Sequence, residues 1–196
     1  MQQRKKYTMG KAYDKGFHLG LVLEGEQPTL ATKFYMFYDE EGIHVRVECE
    51  IDGNLHTPYE GPCVPVWFGD AVEVFLSPEG REDWYYEFDF APNGASYFCH
   101  IFNPDSYTAY NHCLEPDCGA TGDIKITDGM WTTEMFIPFS AMGLAGKTLE
   151  EIKALPWRFN AFRICDGHGE FCSFAPTHAE QINFHVSSAF ADLILE

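Results

Sequence analysis

The chain has 196 residues, 45% hydrophobic and 16% aromatic, which suits one domain with a sizeable core. Thirteen basic against 30 acidic side chains give a formal net charge of -17, a field that repels phosphate backbones and anionic lipid, so neither nucleic acid nor a membrane surface is expected as a partner. No apolar run approaches the ~18 residues of a membrane span, and the basic Met-Gln-Gln-Arg-Lys-Lys-Tyr start lacks the apolar segment of a signal peptide. The chain as given therefore reads as cytoplasmic, or as secreted if a leader was trimmed.

In chain order, residues 1–16 read as a flexible start. Residues 17–24 suit a first strand, ended by Gly25 and Pro28. Residues 32–38 and 43–51 form a hairpin across Asp39-Glu40-Glu41-Gly42; in its second arm Val45, Val47 and Cys49 alternate with Arg46, Glu48 and Glu50. Residues 52–65 are a long Gly/Pro-rich loop that delivers Trp67 to the mouth of the next strand.

That strand, within residues 67–78, turns Val72, Val74 and Leu76 one way and Ala71, Glu73 and Phe75 the other. Glu73 is its single charge, and a carboxylate on an apolar strand needs a partner or a ligand. In residues 84–90, Tyr86, Phe88 and Phe90 face the core, whereas Tyr85, Glu87 and Asp89 face away. Asn93-Gly94 is the strongest short hairpin signal and pairs residues 95–102 back.

Residues 103–122 form a second long loop, and 124–127 and 130–137 a hairpin turning at Asp128-Gly129. Thr148-Leu149-Glu150-Glu151 fits a capping box that opens one short helix over 148–155. Strands follow at 157–165, 171–174 and 190–195, with 177–189 irregular. About ten short strands with almost no helix predict an all-β fold, an antiparallel β-sandwich of immunoglobulin or jelly-roll type, over residues 17–196.

Cys49, Cys63, Cys99, Cys113, Cys118, Cys165 and Cys172 are an odd set with no Cys-x-x-Cys pair, which predicts reduced, mostly buried thiols. No serine stands in Gly-x-Ser-x-Gly, and no Gly-rich phosphate loop occurs. Cys165 or Cys172 with His168 reads as a structural thiol beside a loop histidine, and the Cys165–Cys172 segment lacks a zinc spacing. Calcium is the one metal candidate, through Glu115, Asp117 and Asp123, against simple solvation of an acidic loop; no cofactor is assigned. Glu87 and Asp89 share a face that Glu73 can join, as the carboxyl pair of a glycosidase or as ordinary solvent-facing acids. His100, His185 and the methionines are haem-ligand types.

The segment Trp67-x-x-Asp70-Ala71-Val72-Glu73-Val74-Phe75-Leu76-x-Pro78 followed by Tyr85-Tyr86-Glu87-Phe88 resembles the central hairpin of carbohydrate-binding module family 9. Trp131-x-x-Glu134-x-x-Ile137-Pro138-Phe139-Ser140-x-x-Gly143 is similar to its next block. Trp157-Arg158-Phe159-Asn160-x-Phe162-Arg163, Ser173-Phe174-Ala175-Pro176-Thr177 and Asn183-Phe184-His185 with Phe190 and Leu193 resemble its C-terminal blocks.

The resemblance implies a β-sandwich that binds a mono- or oligosaccharide without cutting it, two tryptophans enclosing a sugar ring. Trp67 matches the first tryptophan and Glu73 a hydroxyl-binding glutamate; Phe174 stands where the second tryptophan would. A family arginine and asparagine fall at Glu87 and Asp89, which inverts the hydrogen-bond pattern from donor to acceptor. The expected cleft therefore has Trp67 and Phe174 as walls, Glu73 at its floor, and Glu87 and Asp89 at its border. The competing expectations are a sugar-active enzyme, a haem or redox sandwich, and a scaffold whose site has decayed.

Overall fold

The computed structural model describes residues 4–53, 55–114 and 118–196. Its strands are β1 (Lys6–Met9), β2 (Phe17–His18), β3 (Gly20–Leu21), β4 (Thr32–Tyr38), β5 (Gly42–Glu50), β6 (Ala71–Ser77) and β7 (Trp84–Phe90). They continue as β8 (Ser96–Phe102), β9 (Tyr110–Cys113), β10 (Thr121–Thr127), β11 (Met130–Pro138), β12 (Arg158–Cys165), β13 (Glu170–Ser173) and β14 (Ala191–Leu195). A five-stranded sheet runs β10-β11-β5-β4-β2. A nine-stranded sheet runs β1-β14-β12-β6-β7-β8-β9, with β13 and β3 attached beside β12. The fold is an all-β sandwich, antiparallel except where β1 pairs parallel with β14.

Period-2 alternation sets which face each strand buries. Val72, Val74 and Leu76 of β6 and Phe88 of β7 pack inward against Phe34, Met36, Val45, Val47 and Trp131 of the smaller sheet. Arg163 of β12 also points inward and bridges the sheets, donating to Thr32 Oγ1 at 2.8 Å and the Glu50 carbonyl at 2.8 Å.

The helix, α1 (Leu149–Lys153), carries the capping box in full: Thr148 accepts from the Glu151 N–H, and the Glu151 carboxylate accepts from the Thr148 N–H. Among the described residues no helix is long and apolar enough to cross a membrane.

Four features depart from expectation. Part of the start read as flexible is a strand: Tyr7 and Met9 of β1 are core residues, held through the β14 pairing. The strand expected over 17–24 is split at Leu19, because β2 joins the smaller sheet and β3 the larger. The long loop at 103–122 contains β9, an edge strand whose exposed Tyr-Asn-His residues carry no apolar alternation.

The fourth departure is a third layer. The outer face of the larger sheet is itself apolar, through Ala71, Phe75, Tyr85, Ile101, Phe162 and Ile164, and it is buried in a second core. Val66 from the 52–70 loop and Phe184 and Phe190 from the irregular C-terminal stretch belong to that core. Phe184 stacks on Phe162 with ring centres 4.2 Å apart. An apolar sheet face of this extent must be covered by something, and loops do it here.

Candidate functional site

The 52–70 loop is pinned where it enters β6. Asp70 is 2% exposed; its carboxylate accepts the His56 N–H at 2.8 Å, and its own N–H donates to the His56 carbonyl at 2.8 Å. A Cβ at Gly69 would lie 2.3 Å from that same carbonyl oxygen, so no larger residue fits between. Two further contacts tie the loop to the 166–169 turn: His56 Nδ1 to Asp166 at 2.8 Å and His168 Nε2 to Asp52 at 2.9 Å.

Trp67 and Phe68 sit on a 3-10 turn, Val66–Phe68, that precedes Gly69. Trp67 is half-buried, and Tyr97 of β8 meets its indole edge-on at 4.8 Å. Phe68 is 60% exposed and Tyr59 39%, with ring centres 6.3 Å apart, and Phe68 lies 6.0 Å from Trp67. Trp67, Phe68 and Tyr59 thus form a run of aromatic surface. Trp67 is the residue expected at a binding face; Phe68 and Tyr59 are its aromatic neighbours, and Trp-Phe ahead of Gly-Asp is the sequence signal for them.

The strand register brings Glu73, Glu87 and Asp89 together on the outer face of the larger sheet. Glu73 of β6 stands directly opposite Asp89 of β7, and Glu87 lies two residues back on the same face of β7. Each offers an oxygen, and these oxygens all lie within 4.8 Å of one another. They are 2%, 4% and 0% exposed respectively, so the solvent-facing alternative does not hold. Glu73 Oε1, Glu87 Oε2 and both Asp89 oxygens have no hydrogen-bond partner.

Burial disfavours the ionised form, and the close like charges add to it. Burial first, then the Glu87 charge, holds Glu73 well above the ordinary carboxylate range. Burial pushes Glu87 up to about 7. Asp89 is raised by burial and by the charges of both neighbours. The Cys99 thiol of β8, across from Glu87, is pushed up by burial and by the same acids.

Phe174 does not face Trp67. It is 5% exposed and lies in the core between the sheets, stacked on Phe159 at 5.2 Å and packed on Phe17 at 4.4 Å. The physical reason is the register after β12: the Phe174 N–H bonds the Ala161 carbonyl, and Ala161 is an inward residue. The cleft walled by Trp67 and Phe174 is therefore absent from this arrangement. A glycosidic bond also has no open route to three carboxyls this buried, which removes the geometry the enzyme reading needs.

His100 stacks on Tyr86 at 4.4 Å, on the inward side of β8, while His185 stacks on Phe75 at 5.2 Å across the sheet. Opposite faces prevent the two from sharing one haem iron. His168 bonds Asp52, and Cys165 Sγ lies 3.6 Å from Arg163 Nη2, so neither serves the other. Glu115 and Asp117 of the calcium reading lie outside the described residues; Asp123 is exposed on β10.

The expectation of seven thiols is corrected, because Cys63 and Cys113 form a disulfide that joins the aromatic loop to β9. Cys49, Cys99, Cys118, Cys165 and Cys172 are free.

No protein-family model matches the sequence, and no curated protein matches it. Solved structures do match in fold. A candidate carbohydrate-binding protein from Bacteroides uniformis superposes with a TM-score of 0.82 at 17% identity, over 99% of this chain and 100% of that one. A family 9 carbohydrate-binding module from Caldicellulosiruptor kristjanssonii, in complex with glucose, gives 0.59 at 12% identity over 98% and 96%. The same kind of module from that organism, in complex with cellotriose, gives 0.57 at 13% identity over 99% and 94%. The chain has a family 9-like carbohydrate-binding-module fold.

Proposed function

We propose that this protein binds a mono- or oligosaccharide without cleaving it, through the aromatic surface of Trp67, Phe68 and Tyr59. The observation that carries the reading is the aromatic run itself, Phe68 and Tyr59 exposed and Trp67 half-buried, anchored by the Gly69-Asp70 buckle on a fold whose solved neighbours include modules bound to glucose and cellotriose. A pyranose has an apolar C–H face that packs on a flat aromatic ring, while its hydroxyls stay hydrated or bond the rim. Glu73, Glu87 and Asp89 make no contact with the ligand in this reading: Tyr97, the cross-strand neighbour of Asp89, stands between them and the indole. The chain's net charge of -17 disfavours uronic acids and leaves neutral or amino sugars as the ligand class.

Calorimetric titration with glucose and cello-oligosaccharides, supported by a glycan array, tests it. Loss of an aromatic stacking contact costs about 0.5–1.5 kcal/mol beyond the area it buries, so Trp67→Ala should weaken binding about tenfold. Phe68→Ala should weaken it as well, and truncating a ring that is 60% exposed should leave the fold intact. Circular dichroism should be unchanged in both. Wild-type protein that binds no glycan, or aromatic variants that bind as tightly as wild type, would overturn the reading.

A further inference from the structure

We infer that Glu73, Glu87 and Asp89 hold a hard divalent cation of the calcium type, buried behind Tyr97 on the outer face of the larger sheet. Two observations meet at this point. The first is convergence: one oxygen from each side chain lies within 4.8 Å of the other two. Calcium binds oxygen at about 2.3–2.6 Å, so two oxygens on one ion stand at most about 5 Å apart. The second is that no counter-charge answers these acids: the polar side chains in reach of Glu87 are Asp89 and the Cys99 thiol. Four of their oxygens are shut off from water with no hydrogen-bond partner, and both Asp89 oxygens are among them. Among the described residues no lysine, arginine or histidine pairs with any of the three.

A buried carboxylate without a counter-charge costs several kcal/mol, and three in contact repel one another besides. One divalent ion removes most of that cost. Three carboxylates can give up to six oxygens, enough for most of a calcium shell, and an all-oxygen donor set selects calcium, magnesium or manganese over zinc or copper. Calcium is favoured because it accepts irregular, carboxylate-rich shells, whereas magnesium retains several waters that this dry position cannot house. The alternative is that the three carboxyls share protons and need no metal. This inference does not rest on the saccharide reading, and its test uses no sugar.

Elemental analysis of the purified chain should find calcium near one equivalent, or chelator-treated protein should take up one equivalent in calorimetry at pH 7.5, with a rise in unfolding temperature. The isosteric substitutions Glu87→Gln and Asp89→Asn should each weaken uptake at least tenfold, whereas Asp123→Asn on exposed β10 should not. Proton sharing predicts no stoichiometric uptake by wild type, and that result would sink the proposal. So would uptake that survives both isosteric variants, or uptake abolished by Asp123→Asn alone, which would move the ion to the acidic loop. Wild-type uptake and the Asp123→Asn arm decide the matter even if a buried-site variant does not fold.

Discussion

Opening the Cys63–Cys113 disulfide should lower the unfolding free energy by about 4 kcal/mol. The bond closes a sequence separation of 50 residues, and in the chain-entropy description a loop of that length restricts the unfolded ensemble by about 4 kcal/mol near 25 °C. The anchor points make the effect local as well as global. Cys63 stands in the loop that carries Tyr59, Trp67 and Phe68, and Cys113 ends an edge strand whose other side has no strand partner among the described residues. Without the link, both segments lose their covalent tie to one another, so saccharide affinity should fall together with stability. Urea unfolding of wild type against Cys63→Ser/Cys113→Ser measures the first effect and titration with cello-oligosaccharides the second. Alkylation under denaturing, non-reducing conditions should label five thiols; seven labels, with no stability difference, would show that the bond does not form.

How much could be read before the structure depended on the range of each interaction. The alternation in β6 and β7 placed Glu73, Glu87 and Asp89 on one face correctly, because a strand's side-chain period is local and independent of what packs on it. Asn93-Gly94 and the Thr148–Glu151 capping box were legible for the same reason: each is satisfied within a few residues. What was illegible is non-local. Whether the shared face is wet or dry is decided by Val66, Phe184 and Phe190, which arrive from stretches with no periodicity.

The same limit explains Phe174 and the disulfide. Phe174 looks like a platform at a strand end until Tyr7 and Phe17, from the opposite terminus, are seen to close over it. Cys63 and Cys113 sit in two long loops with no motif between them, and it is pairing to β8, through the Pro62–Ser96 bridge and the β8–β9 ladder, that brings those loops together. Most strands were therefore readable, whereas β1, β9 and the three-layer arrangement that decides what each face can bind were not.

Acid should destabilise this protein through His185 before the carboxylates matter. Its imidazole is held between aromatic rings, with Phe75 at 5.2 Å, and its Nδ1 lies 2.7 Å from the Tyr85 hydroxyl. Asn103 donates to its carbonyl at 2.7 Å and fixes the segment in place. Burial alone lowers the imidazole from 6.5 to about 4, because the charged form would lose its hydration. Above 6.5 the ring is neutral whether the chain is folded or not, and it contributes no pH dependence. As pH falls from there, the unfolded chain binds a proton that the folded chain refuses, so stability declines until the folded ring also titrates near 4. Over that window the difference reaches about 3 kcal/mol for a ring fully shut off from water, and nearer 2 for one that keeps some solvent contact. The buried acids act with the opposite sign. With no cation bound their folded values are raised, so the stability they contribute is complete below about 4 and declines as pH rises. The two effects are separated by difference. His185→Gln keeps an acceptor for the Tyr85 hydroxyl and removes the titration, so the stability gap between wild type and variant should narrow or reverse as pH drops from 7 to 4.5. A gap that stays constant across that range would mean His185 is protonated in the folded chain as easily as in the unfolded one.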